Sequence, residues 1–424
     1  MQKPQQSSTG ARDTTAWPSG RPGPSRRGLL GGAAAGALAA GVFGLANAPS
    51  ATAAVDDSKS IWPGQTRGFV RSRRGQLWLG GNQFRYAGTN CYYLHYKSHY
   101  MIDSILNDAK QMGLKVIRAW AFLDGKPSDG FVFQPEPGVF DEDGFEALDY
   151  TVWKAGQLGL RLVLTLVNNW PDFGGMDQYV AWFGAAEHDD FYRVPAIKQA
   201  YKKAVRHVSV RRNRYTGLPY FADPTVMTWE LANEPRCRSD KSGDTLVAWA
   251  DEMSQLVKSL APQQLVAVGD EGFFGDAANT DYPYSDYEGV AWRRLSTLKA
   301  VDYGTVHCYP DSWEGSLSQA DKVTWGTTWF ADHVAEARRL KVPAIFEEFG
   351  LKDTSVDLNV RDAAYTAWTG AVTSGGGAGD HVWILTARQD DGALYPDYDG
   401  FRVTYPSSTA AVLTAHAAAL ASPP

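Results

Sequence analysis

The sequence predicts an α/β protein built as a single (β/α)8 barrel, a TIM barrel with an N-terminal β-hairpin and long loops on its C-terminal face. Three observations predict it. Eight short apolar or β-branched runs recur along the chain, most are followed by a run with helical periodicity, and polar and aromatic side chains collect where the apolar runs end.

The elements follow in order. A first hairpin, Phe69-Val70-Arg71 turning at Arg74-Gly75 into Gln76-Leu77-Trp78, is placed to close the bottom of the barrel. The eight strand runs are 84–90, 115–120, 161–167, 225–231, 264–268, 303–308, 344–348 and 381–385. The helical runs are 101–112, 145–158, 197–210, 245–260, a short piece at 292–298, 329–340, 361–373 and 409–420. Strand ends carry Arg118-Ala119-Trp120, Asn168-Asn169-Trp170, Asn233-Glu234, Asp270-Glu271, His307-Cys308-Tyr309, Glu347-Glu348 and Trp383. That is the face on which such barrels do chemistry, and the long loops 121–143 and 171–196 build a cleft there. The aromatic-rich segments Tyr282-Pro283-Tyr284 and 325–330 are expected to pack as loops.

With 424 residues, 44% hydrophobic and 21% charged, the chain has material for one large core. Its 15 Trp and 20 Tyr exceed what a core needs and suit a cleft whose flat rings stack against the apolar C–H faces of sugars. The formal net charge is −6, and residues 1–54 hold five basic side chains (Lys3, Arg12, Arg21, Arg26, Arg27) against one acidic (Asp13), which leaves −10 for the rest. That sign argues against a nucleic-acid partner.

Ser25-Arg26-Arg27-Gly28-Leu29-Leu30 resembles a twin-arginine export motif, followed by an apolar run over 29–46 and small residues at Ala51-Thr52-Ala53 that suit cleavage. The run is short and weakly apolar for a spanning helix, which needs about 20 strongly apolar residues. The expected organisation is a signal peptide over 1–54, a flexible segment over 55–67 and one catalytic barrel over 68–424. The chain is expected to be secreted after folding in the cytoplasm, with no membrane association once the signal is removed. Because it ends shortly after the eighth helix, it is expected to carry no appended binding module. Cys91, Cys237 and Cys308 allow at most one disulfide and fit no metal-ligand spacing.

Two glutamates at strand ends meet the need of glycosidic-bond hydrolysis, in which one carboxyl group protonates the leaving oxygen and the other attacks or activates water. Glu234 ends the fourth strand in Trp229-Glu230-Leu231-Ala232-Asn233-Glu234-Pro235, and Glu348 ends the seventh in Ile345-Phe346-Glu347-Glu348-Phe349-Gly350. Strand alternation makes Ala344, Phe346 and Glu348 co-facial and sets Ile345 and Glu347 on the other side, so only one of Glu347 and Glu348 faces substrate, and periodicity does not say which. Glu230, Ala232 and Glu234 are likewise co-facial; a buried Glu230 needs a partner, and Arg118 is the candidate. His307 and Tyr309 share a side with Cys308 turned away, so that His307 can orient a carboxylate and Tyr309 can hydrogen-bond one. Asp270 and Glu271 are sugar ligands or loop anchors, and Trp120 and Trp170 are binding rings or loop packing.

The Asn-Glu-Pro after the fourth strand, His-x-Tyr after the sixth, Glu-aromatic-Gly after the seventh and Trp on the eighth together resemble glycoside hydrolase family 5. Arg118-Ala119-Trp120, Val167-Asn168-Asn169-Trp170, Glu230 to Cys237 and Glu347-Glu348-Phe349-Gly350 resemble its endo-β-1,4-mannanase branch, over essentially the whole mature chain. The resemblance implies Glu234 as acid/base and Glu348 as nucleophile of a retaining double displacement. It implies substrate contacts from Arg118, Trp120, Asn168, Asn233, Arg236, His307, Tyr309 and Trp383, with Arg118 and Tyr309 holding the nucleophile and Trp383 flooring the subsite where the bond breaks. It implies no cofactor and no metal, a mannan-type polysaccharide as the partner, and a monomer. β-1,4-Glucan is the alternative substrate, and a non-catalytic sugar-binding barrel is the alternative of another class. The division of roles requires a raised pKa at Glu234 and an ordinary or lowered one at Glu348.

Overall fold

In the computed structural model, which describes residues 66–421, an eight-stranded parallel sheet curls into a barrel with helices outside it. The barrel strands are β1 (Tyr86–Asn90), β2 (Val116–Trp120), β3 (Arg161–Thr165), β4 (Val226–Glu230), β5 (Leu265–Ala267), β6 (Gly304–Cys308), β7 (Ala344–Phe349) and β8 (Gly379–Val382). The ladder runs β5-β4-β3-β2-β1-β8-β7-β6. Across the remaining seam, the Asp302 amide donates to Val266 O at 2.8 Å and the His307 amide to Glu271 O at 3.0 Å. Every residue of these strands is buried, as expected of a parallel sheet packed on both faces.

A helix follows each strand: α1 (His99–Gln111), α2 (Glu146–Leu158), α3 (Pro195–Val210), α4 (Asp244–Leu260), α5 (Trp292–Leu295), α6 (Gln319–Leu340), α7 (Leu358–Gly375) and α8 (Ser408–Ala421). Ser98 caps α1 by accepting from the Met101 amide, and Gly159 (φ 72°) ends α2 in the left-handed conformation that a residue without Cβ adopts cheaply. The hairpin residues Val70 and Leu77 pack with Tyr86, Val116, Val163, Leu265 and Ile345 in a cluster that plugs the barrel floor, as the sequence predicts.

Three expectations are corrected. The eighth strand is Gly379–Val382, and Leu385–Thr386 pairs instead with Val403–Thr404. The sixth helix begins ten residues before the predicted start, because Ser318 caps it by accepting from the Asp321 amide. Trp325 therefore lies on helix rather than loop, stacked on Trp329 at 5.5 Å with 14° between planes. The fifth helix is only Trp292–Leu295.

The predicted signal peptide lies outside the described residues, as does the polar segment except for Thr66 and Arg67, which are already fixed: the Thr66 hydroxyl donates to Leu160 O at 3.0 Å and Arg67 O accepts from Arg161. Among the described residues no helix is long and apolar enough to cross a membrane. The three cysteines are buried and unpaired with one another.

Candidate active site

The strand ends open into a central cavity of about 410 Å³ lined by Trp120, Asn168, Trp170, Asn233, Glu234, Arg236, Glu271, Tyr309, Glu348 and Trp383, among others. On one side it adjoins a cavity of about 520 Å³ through Trp170 and Arg236. On the other it adjoins one of about 560 Å³ through Trp120, Asp172, Trp383 and Asp399. The three form a trough across the top of the barrel.

Both glutamates reach this trough through departures from regular strand geometry. Between Phe346 and Glu348 the pairing of β7 with β6 slips by one residue: Phe346 stands opposite Val306 and Glu348 opposite His307, so Glu347 is the extra residue of a β-bulge. The bulge overturns the expected alternation. Ile345 packs in the barrel floor, Phe346 points outward and stacks on Phe330 at 4.1 Å, Glu347 and Glu348 both point inward, and Phe349 points outward onto Tyr365 and Trp368. On the other strand, Glu234 sits at φ 51°, a left-handed conformation uncommon for non-glycine residues. Asn233 and Glu234 then both face the cleft, and their expected alternation fails as well.

Arg118, fully buried, spends all five guanidinium N–H groups. Nε and one Nη bind the two oxygens of Glu230 at 2.9 and 2.6 Å. The remaining donors reach Asn90 Oδ1 (3.0 Å), Asn233 Oδ1 (2.8 Å) and Glu348 Oε1. The expected Arg118–Glu230 pair is present, and the same guanidinium orients the second carboxylate. Glu348 also accepts from the Tyr309 hydroxyl at 2.7 Å. Glu234 is held by the Trp170 indole N–H, which donates to Oε2 at 2.6 Å, and by His307 Nδ1, 2.9 Å from Oε1. Asn233 donates to Asn168 Oδ1 at 2.9 Å, which fixes the amide beside the acid.

One oxygen of Glu234, one of Glu348 and a ring nitrogen of His307 lie within 4.8 Å of one another. This is the one grouping among the described residues with a geometry that suits a cation, but Arg118 on Glu348 sets a positive charge against one. Burial, the largest influence on His307, holds it below its ordinary pKa. Burial is also the leading cause that raises Glu348, and the Glu234 charge adds to it, whereas His307, Arg118 and Tyr309 pull the other way without offsetting it. The expectation of an ordinary or lowered Glu348 is corrected on this physical ground: the side chain is only 4% exposed.

The other predicted residues divide. Trp383 lies in the wall with its indole donating to Asp399 at 2.7 Å and its ring stacked on Tyr92 at 5.7 Å and 17°. Trp120 is buried against Tyr92 and Phe122 and joins two of the cavities. Arg236 binds Glu271 through two 2.6 Å hydrogen bonds, reaches Glu288 at 3.0 Å and lies over the Trp170 ring. Glu271 thus faces the trough, while Asp270 anchors the loop through the Gly272 amide and Thr305. Of the two readings open for Trp170 and Glu271, the structure places both side chains on the trough, and it adds Tyr92 and Asp399, which sequence reasoning does not single out. The Tyr92-Tyr93 pair just past the first strand was a usable signal for Tyr92; Asp399, in a loop after the last strand, had none.

Residues 67–369 match the family described as GH family 5 beta-mannosidase-like. A putative mannan endo-1,4-beta-mannosidase of Arabidopsis thaliana is 35% identical over 373 residues, covering 82% of this chain and 90% of the relative. Mannan endo-1,4-beta-mannosidase 2 of Oryza sativa subsp. japonica is 37% identical, covering 79% and 80%. Among solved structures, the endo-1,4-beta-D-mannanase from Thermotoga petrophila RKU-1 superposes with a TM-score of 0.75 at 45% identity, covering 79% of this chain and 99% of that one. The endo-1,4-beta-mannanase from Rhizomucor miehei superposes with a TM-score of 0.76 at 35% identity, covering 84% and 99%.

Proposed function

This chain belongs to glycoside hydrolase family 5, in its β-mannosidase-like group, and from that premise we propose that it hydrolyses internal β-1,4-mannosidic bonds of mannan, glucomannan or galactomannan with retention at the anomeric carbon. The observation that carries the mechanism is that one carboxyl oxygen of Glu234 and one of Glu348 lie within 4.8 Å of each other at the centre of the trough. Retaining enzymes need about 5 to 5.5 Å between carboxyl groups, and inverting ones about 6.5 to 9.5 Å to admit a water.

Glu348, aligned by Arg118 and Tyr309, attacks the anomeric carbon while Glu234 gives its proton to the departing glycosidic oxygen. Glu234 then takes a proton from the water that releases the sugar from Glu348, with His307 and Trp170 keeping its carboxyl group in place between the two steps. Trp383 stacks under the sugar at the cleavage point, and Asn233 and Asn168 hydrogen-bond near its 2-hydroxyl. Trp120 and Arg236 contact the units on either side. A trough that continues past the carboxylates in both directions suits a polymer threaded through the site, hence endo action. The enzyme works as a monomer without a cofactor, and it is exported through the twin-arginine motif at Arg26-Arg27.

Purified protein is assayed on glucomannan, galactomannan and soluble cellulose derivatives with product sizing, and the anomer first released from a manno-oligosaccharide is read by NMR. The expected outcome is internal cleavage of the mannans with a β-anomeric product. Glu348→Ala is expected to be inactive and to be rescued by azide with inverted product. A first product of inverted configuration, or no azide rescue, overturns the assignment of Glu348.

A further inference from the structure

Glu347, the bulge residue of β7, is left unused by the reaction above. It points into the barrel below Glu348, and groups from every neighbouring strand face it. Arg118 Nε from β2 lies 4.0 Å away, and the Tyr303 hydroxyl, just before β6, donates to Oε1 at 3.3 Å. Glu347 Oε2 is buried with no hydrogen-bond partner among the described residues, and Glu230 from β4 and Tyr86 from β1, backed by His381 of β8, lie within its electrostatic reach.

The charges in this group do not balance if every carboxyl group is ionised. Arg118 is the one strong cation, and Glu230, Glu347 and Glu348 are 0%, 0% and 4% exposed. Three carboxylates around one guanidinium leave two buried negative charges uncompensated, an arrangement strongly disfavoured away from water. The distribution of donors tells which group keeps a proton. Glu230 receives two N–H bonds from Arg118 and the Thr165 hydroxyl at 2.9 Å, and Glu348 receives one from Arg118 and the Tyr309 hydroxyl. Glu347 receives none from Arg118, and its buried Oε2 receives none from any described group, so a proton of its own is what lets it pair with a neighbouring carboxylate. Burial and the Glu230 charge push Glu347 well above the carboxylate range. Burial would raise Glu230 too, but the charge and hydrogen bonds of Arg118 hold it below that range.

We propose that Glu347 is a positioning residue: a neutral carboxylic acid that donates to Glu230, keeps that carboxylate on one edge of Arg118, and so leaves the other edge of the guanidinium to align Glu348. The proposal rests on the reading of Glu348 as the nucleophile. The bulge then accounts for two consecutive inward glutamates, one carrying charge into the cleft and one carrying a proton beneath it.

The test compares wild type with Glu347→Leu and Glu347→Gln. Leucine removes the donor, and kcat is expected to fall about tenfold while KM moves little and the acid limb of the pH profile shifts, because Arg118 is no longer shared in the same way. Glutamine supplies an uncharged donor of the same shape and is expected to restore wild-type kcat and pH profile. In infrared spectra at neutral pH, wild type is expected to show the carbonyl stretch of a buried protonated carboxyl group, lost in Glu347→Gln. A glutamine variant as impaired as the leucine one, a fully active leucine variant, or absence of the carbonyl band overturns the proposal. If the leucine variant does not fold, the glutamine variant and the infrared band decide. Failure of the nucleophile reading is seen separately, as absent azide rescue in Glu348→Ala, and leaves the infrared result standing.

Discussion

Replacing Tyr309 with Phe removes one oxygen from the site and little else. The Tyr309 ring packs on Phe401 at 5.1 Å and edge-on to Trp313 at 6.3 Å, contacts that phenylalanine keeps. What is lost is the 2.7 Å hydrogen bond to Glu348 Oε2. A hydrogen bond to a charged group contributes about 1.5 to 3 kcal/mol, and 1.36 kcal/mol corresponds to one pH unit, so the carboxylate form of Glu348 loses the equivalent of about 1 to 2 units. The lower figure applies here, since Arg118 still holds Oε1 and the cleft side admits water to Oε2. The sign follows directly: the hydroxyl favours the ionised form, so its removal lets Glu348 keep its proton to higher pH. Since the attacking form is the carboxylate, the acid limb of kcat/KM moves upward by about one pH unit while the alkaline limb stays. The assay is release of reducing ends from soluble mannan across the pH range, with circular dichroism to verify folding. An acid limb that stays in place or moves downward refutes the argument that Tyr309 acts on Glu348 in this way.

Two further outcomes test the surroundings and the N-terminus. Arg236→Ala leaves Glu271 buried without a cation and is expected to destabilise the barrel by about 3 to 5 kcal/mol in urea unfolding, with much of the loss recovered in Arg236→Ala/Glu271→Gln; a double variant no more stable than the single one rules out the unpaired charge as the cause. Replacing Arg26 and Arg27 with Lys is expected to keep the protein out of the culture medium, and unchanged export dismisses the twin-arginine reading.

Much of the barrel was legible because its strands are buried on both faces and so read as unbroken apolar runs, as at Leu162-Val163-Leu164. The two carboxylates were legible because each ends such a run. Orientation was not. Alternation holds only while a ladder stays in register, and the bulge at Glu347 arises from how β7 fits against β6 and β8, a contact with residues about 40 positions away along the chain that local sequence does not encode. Glu234 likewise turns after its strand has ended, in a segment bonded to Val268 and Gly269 rather than to a regular ladder. The early start of α6 was missed because its first turns are polar, and the Ser318 cap with Asp321 three residues on was the signal to follow. Asp399 reaches the site only through the fold of the last loop back onto Trp383, which local sequence does not encode.

The left-handed backbone at Glu234 has a consequence for anyone re-engineering the barrel. An L-residue there carries roughly 1 kcal/mol of strain that glycine would avoid, so the place where a proton donor is required is one where backbone conformation alone favours having no side chain. The hydrogen bonds from Trp170 and His307 to the carboxyl group offset that strain. A redesign that ranks substitutions by backbone strain alone would select glycine at 234, strand both donors and return a barrel that no longer cleaves anything.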